Sequence, residues 1–110
     1  MTGVQTCALP IYALNALGYS LADRNAKLPE AFVLISKAHQ LSPQDAFILD
    51  SLGWVNFRLG KNALALEQLQ QAFRMKPEAD IAAHTSEVLW SMGRQAEAEA
   101  MWQEIGRAHV

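Results

Sequence analysis

Apolar residues recur along this chain at steps of three and four, in six blocks separated by short polar or glycine-containing segments, and no block alternates with the period of two that marks a strand. The blocks predict helices near 12–23, 28–41, 45–59, 62–75, 80–92 and 95–103. Gly60-Lys61-Asn62 and Gly93-Arg94-Gln95 separate paired blocks, and a glycine there can take the left-handed conformation that closes a helix. Pro43 and Pro77 lack the amide a helix interior needs, so they mark the junctions between pairs, with Ser42 and Asp80 as the expected caps. The first pair differs. Its connection, Asp23 to Lys27, has no glycine and is followed by Pro29 in the first turn of the next helix, which predicts a less regular turn.

The blocks repeat. Ala31, Ala65 and Ala98 are 34 and 33 residues apart; Ala38 and Ala72, and Pro43 and Pro77, are each 34 apart; Gly18, Gly53 and Ser86 keep nearly the same step. Self-similarity at that period is the mark of a stacked repeat architecture. Two antiparallel helices in close contact need small side chains where their backbones approach, and Gly18, Gly53, Ser86 and the three alanines supply them. Leu17, Leu52, Ile35, Leu69 and Trp102 stand at helical spacing from the small residues and are expected to form the buried stripe, with Tyr12 and Trp102 either buried or on a capping face.

Composition agrees with a packed domain: 110 residues, 51% hydrophobic, 18% charged and a formal charge of −2. Lys and Arg are scattered singly, so no basic stripe is available to displace counterions from a phosphate backbone, which argues against a nucleic-acid partner. The longest nearly apolar stretch, Cys7 to Leu14, is interrupted by Pro10 and is far shorter than the roughly 18 residues of a membrane span, so direct membrane insertion is not expected. Met1 is followed by no secretory leader pattern. The two extremities stand apart. Residues 3–11, GVQTCALPI, and the tail EIGRAHV can be encoded by strings that are almost perfect reverse complements of each other, which is the expectation for translated sequencing adapter rather than protein. Residues 1–11 and 104–110 are therefore set outside the domain, and with them Cys7 and His109; repeats are expected over 12–44, 45–78 and a shortened 79–103.

Chemistry-bearing residues are sparse in what remains. His84 and Glu87 are three apart on one helix, but no second pair completes a metal shell, so both are expected to be solvent-facing polar residues and no metal or cofactor is anticipated. His39 falls at a helix C-terminus, where a partly cationic ring suits the dipole. Asp45 and Asp50 are on different faces and Asp23 is in a turn, so no carboxylate pair for acid–base work is expected. No phosphate-cradling glycine loop occurs. An enzyme is not expected.

The Leu-Gly pairs, the recurring Ala and the closing Pro resemble the tetratricopeptide repeat pattern over residues 12–103. That resemblance implies an all-α chain of tandem antiparallel helix pairs, stacked as a short right-handed superhelix of about two and a half to three repeats. Its third unit departs from the pattern, with Thr85-Ser86 in place of Leu-Gly. It also implies a protein-interaction scaffold in which the first helix of each pair lines a concave face. One register along those helices gives Asn15, Tyr19, Asp50, Trp54, His84 and Glu87, with Arg58 and Trp90 nearby, as the residues expected to meet a protein or peptide partner. Trp54 and Trp90 have an alternative as packing residues against an adjoining repeat.

Some tetratricopeptide proteins clamp a terminal carboxylate with Lys and Asn on successive first helices. Here Asn15 fits one such position, but Asp50, Ala83 and Glu87 stand where cations are required, so neutral or basic peptides are expected to be preferred. The strings NALGYSLADR, ILDSLGWVNFRLG and IAAHTSEVLWSMG further resemble C-terminal repeats of bacterial outer-membrane tetratricopeptide lipoproteins that face the periplasm, some of which are envelope adaptors. A role confined to spacing or self-association of a larger protein is the alternative.

Overall fold

The computed structural model describes residues 10–108, with side chains through 105. Cys7 and His109 lie outside the described residues, with residues 1–9 and 109–110 of the two extremities read as adapter. Six helices follow one another: α1 (Ile11–Asp23), α2 (Leu28–Leu41), α3 (Ala46–Arg58), α4 (Asn62–Met75), α5 (Ala79–Ser91) and α6 (Gln95–Ala108). The described residues contain no strand. The bounds match the periodicity within a residue or two, except that α6 runs to Ala108 rather than ending near 103.

Each pair closes on its small residues. A Cβ built on Gly18 would stand 2.6 Å from Ile35 Cγ1 and 3.1 Å from the Ala31 carbonyl oxygen, so α1 and α2 meet at a distance only glycine allows. In the third pair Ser86 takes the glycine's place. It is buried, and its hydroxyl lies 3.4 Å from the Ala98 carbonyl oxygen, to which it donates, so the departure from Leu-Gly is accommodated by a hydrogen bond.

The turns also follow from residue type. Gly60 and Gly93 have φ of +86° and +80°, and the next amides, of Lys61 and Arg94, donate back to Asn56 and Leu89 at 2.9 Å, which satisfies carbonyls at the helix ends. The first connection makes its turn without glycine, using Asn25 (φ 56°) and Lys27 (φ 46°) in the left-handed region. Asparagine tolerates that region; lysine is held there by the chain on either side.

The helix caps differ from expectation. Ser42 ends α2 and Asp80 lies inside the first turn of α5, where a carboxylate suits the positive end of the dipole; neither side chain caps a helix. Asp45 does: its Oδ1 accepts from the amides of Phe47 (2.9 Å) and Ile48 (3.2 Å), and its other oxygen accepts from the Tyr12 hydroxyl. Tyr12 is therefore exposed rather than buried, tied to the second pair by its tip, and that bond is the main reason its hydroxyl pKa is raised. Asp45→Ala is expected to lower stability by about 1 kcal/mol, read as a lower urea midpoint at an unchanged slope; an unchanged midpoint would show that water replaces the cap at no cost.

Stacking sets the shape. The first helices touch down the stack, α1 on α3 and α3 on α5, while among the described residues the backbones of α2, α4 and α6 do not approach one another. Each second helix packs on its own partner, and α2 and α4 also pack on the first helix that follows. The first helices thus form the inner row, and α3, packed on all sides, has ten of its thirteen residues buried. Ile35, Leu52 and Leu69 are core residues as expected. Leu17 and Trp102 are not: they are 49% and 56% exposed. Among the described residues the last helix packs only on its own partner, whereas α2 and α4, which carry Ile35 and Leu69, also pack on the helix that follows.

Candidate partner-binding face

The inner row brings one residue from each first helix into a single hydrogen-bonded line. The Asp50 carboxylate on α3 lies 2.8 Å from His84 Nδ1 on α5, and His84 Nε2 lies 3.0 Å from the Tyr19 hydroxyl on α1. With Nδ1–H donating to Asp50, Nε2 is free to accept from Tyr19, so a neutral imidazole satisfies both neighbours. The ring itself lies on Trp54, with centroids 4.4 Å apart and planes 29° from parallel. On Trp54 there is also the Arg58 guanidinium, 4.8 Å from the ring centre; Arg58 donates to the Asp23 carbonyl oxygen (3.2 Å) and is 3.8 Å from its carboxylate. A stack of cation, indole and imidazole thus runs beneath the line.

Burial decides the electrostatics. It pushes the Tyr19 hydroxyl up to about 12, with the carboxylates of Asp23, Asp50 and Asp80 adding to the effect and Arg58 opposing it. It also raises the Asp50 carboxyl, against the lowering influence of the His84 hydrogen bond. Hydroxyl, imidazole and carboxylate in that order are the parts that activate a nucleophile elsewhere. Here the hydroxyl is moved away from ionisation, which is the wrong direction for attack. What the geometry does is tie three helices together. Among the described residues no group of three or more His, Cys, Asp or Glu converges as a metal site.

The expected register is therefore split by the structure. Asn15, Tyr19, Asp50 and His84 line one cavity of about 400 Å³. Trp54 does not face outward: at 2% exposure it is core, and it supports the cavity floor from below. Arg58 is half-buried over it. His84 is only 17% exposed, because it is enclosed between Asp50, Tyr19 and Trp54 rather than being a solvated polar residue. Glu87 is apart, on a second concavity at the α5–α6 end with Trp90 and Trp102. Trp90 is 54% exposed, so within the described residues it packs on no adjoining repeat.

Four residues of the first cavity escape the sequence reading of the partner face: Ala16, Phe47, Ser51 and Asp80. A signal for two of them exists. Tyr12, Phe47 and Asp80 each occupy the second position of a first helix, so the register that contains Asn15 and Asp50 continues through them one turn earlier.

No family model matches the chain. Over 75 residues, 68% of its length, it is 55% identical to the TPR repeat-containing protein PA4667 of Pseudomonas aeruginosa, of which it spans 13%. Among solved structures it superposes on MamA from AMB-1 with a TM-score of 0.69 (20% identity, 89% of this chain, 54% of that one). It superposes on PilF of Pseudomonas aeruginosa with a TM-score of 0.71 (21% identity, 89% of this chain, 45% of that one). At those identities the structural likeness shows the fold alone. The chain spans about an eighth of the curated relative and about half of these solved structures.

Proposed function

Because the chain is a stack of tetratricopeptide-type helix pairs, we propose that it is a protein-interaction module, non-catalytic, that holds a partner polypeptide along the inner row of α1, α3 and α5. Tetratricopeptide repeats are generally non-enzymatic scaffolds for protein contacts. The observation that carries the reading is the cavity between the three first helices, with aromatic walls from Tyr19 and Phe47 and carboxylates from Asp50 and Asp80. Aromatic surface bordered by polar groups is what an extended peptide needs, because rigid rings bury area at little entropic cost. The same carboxylates repel a peptide terminus or acidic side chain. No helix of the described residues is long and apolar enough to cross a membrane. The resemblance to outer-membrane tetratricopeptide lipoproteins supports, as part of this proposal, an envelope-adaptor role at the periplasmic side of a bacterial outer membrane.

A fluorescence-anisotropy titration with a panel of unstructured peptides tests this. Neutral and basic peptides are expected to bind and those ending in acidic residues to bind at least tenfold more weakly. Equal or tighter binding of the acidic peptides would overturn the reading. The competing role, self-association, is favoured by the exposed Trp90 and Trp102. Asp80→Lys separates the two: Asp80 is exposed, so the fold survives, and partner binding falls while the sedimentation coefficient does not change. Unchanged partner binding in that variant would count against the inner row and favour self-association.

A further inference from the structure

The cavity of the inner row has an imbalance of donors and acceptors that the scaffold reading does not use. Asn15 lines it, and its Oδ1 is buried with no hydrogen-bond partner. Asp50 is 6% exposed, and His84 engages only one of its two carboxylate oxygens. Asp80 adds a second carboxylate, for which there is no ion pair among the described residues. The side-chain donors of Tyr19, Ser51 and His84, which line the cavity, are already committed, whereas Trp54 Nε1 and Arg58 Nε, which belong to residues outside its lining, are buried without an acceptor. Both His84 nitrogens are occupied, the Tyr19 hydroxyl points to His84, the Ser51 hydroxyl donates to the Phe47 carbonyl oxygen at 3.2 Å, and Arg58 serves Asp23 and Trp54. Lys76 is 5.9 Å from the Phe47 ring centre but lies outside the cavity, beside Glu78.

A buried acceptor with no donor is costly, and a buried carboxylate that is half satisfied is more so. What completes such a set is a group that carries donors only. Ammonium and guanidinium are the two side-chain groups of that kind, and both sit on apolar stems. The Tyr19 and Phe47 rings supply a wall for the stem and a negative face toward the charge.

We propose that this cavity is an anchor site for one basic side chain of a partner polypeptide, Lys or Arg, with its head on Asn15 Oδ1, Asp50 and Asp80 and its stem between Tyr19 and Phe47. The proposal rests on the scaffold reading and narrows it to a residue class. The tie from Tyr19 through His84 to Asp50 then has a second consequence. It fixes the carboxylate's orientation before the ligand arrives, so little ordering remains to be done on binding.

The test uses blocked amino acids on the intact chain, followed by NMR. N-acetyl-lysine methylamide and the arginine equivalent are expected to shift the Asn15 side-chain amide and the His84 ring signals, saturating in the low millimolar range. The isosteric norleucine and the glutamate derivatives are expected to leave them in place. Glycinamide, an ammonium without a stem, is expected to bind at least about 5-fold more weakly than the lysine probe, since it forfeits the apolar contact. Asp80→Asn is expected to weaken the lysine probe about 3-fold and Asp50→Asn about tenfold, with Glu97→Gln, at the far end of the stack, unchanged.

Equal shifts from norleucine, equal binding of glycinamide, or indifference to both Asp variants would each overturn the anchor. The peptide panel gives an independent answer. If peptides bind the inner row but the basic probes do not, the anchor is wrong and the scaffold stands; if the probes bind and no peptide does, the scaffold reading is the one that fails.

Discussion

Gly53→Val is expected to destabilise the chain by about 3 kcal/mol, enough to lower the melting temperature by about 15 °C for a domain of this size. The reason is geometric. A Cβ at position 53 would stand 2.8 Å from Leu69 Cγ and 3.2 Å from the Ala65 carbonyl oxygen. Leu69 is fully buried, so its branch point has nowhere to retreat, and the carbonyl belongs to the backbone of α4. Valine therefore forces α3 and α4 apart at the middle of the stack, where both neighbouring pairs also pack.

The smaller change, Gly53→Ala, separates two opposing effects. Alanine gains about 1 kcal/mol of helix propensity, and the close contact is expected to exceed it, giving a net loss. Leu69→Ala removes the nearer obstacle, so Gly53→Ala should be at least 1 kcal/mol less costly in that background. Urea denaturation of the four members of the cycle measures this coupling. Strict additivity would show that the repeat tolerates a methyl at its closest approach and that glycine is present there for some other reason.

His84→Ala is expected to be nearly as damaging, at about 3 kcal/mol. The loss leaves the buried Asp50 carboxylate and the Tyr19 hydroxyl without their shared partner and strips a stacked ring from Trp54. Asp50→Asn should differ sharply. Asparagine still accepts from His84 Nδ1 and brings no charge, so the variant is expected to stay within about 1 kcal/mol of the parent at pH 7. The pH dependence gives a second readout. Burial raises the Asp50 carboxyl above its unfolded value, so the folded state holds that proton more tightly. Its contribution is complete below the ordinary carboxylate range and is lost as pH rises through the folded value. The stability of the parent relative to Asp50→Asn should accordingly fall from about pH 4 upward. Urea midpoints of the three proteins at pH 4 to 7 supply the comparison. If Asp50→Asn loses as much as His84→Ala, the line depends on the carboxylate's charge rather than on the imidazole's position.

Much of this was legible in the order of residues. Gly60 and Gly93 were readable as turn positions because few other residues take a φ near +80° without cost. Gly18 and Gly53 were readable as close-contact positions because each recurs at nearly the repeat step and stands 13 or 12 positions before an alanine of the next helix. Such statements concern one helix and its immediate partner, and the period of the pattern contains the information. The caps were less readable, since Ser42, Asp45 and Asp80 are all chemically able to cap and only the backbone path selects Asp45. Leu17 and Trp102 were read as buried by analogy with Leu52, Ile35 and Leu69; the analogy fails at the two outermost pairs, where burial depends on a neighbour rather than on the residue itself.

The functional face shows the same division more clearly. Asn15, Tyr19, Asp50 and His84 are identifiable as one register of the first helices, but nothing local indicates that Tyr19 and His84, 65 positions apart, share a hydrogen bond. Nor does the sequence distinguish Trp54, which is core, from Trp90, which is half in water, though both are tryptophans on first helices. By itself the sequence determined the helices, their pairing and the 34-residue repeat, because these depend on periodicity and on steric limits within about one helix pair. Only the tertiary structure decided which side chains are covered, which donors are already used, and which acceptors are left without a partner, because those depend on the angle at which one pair settles on the next.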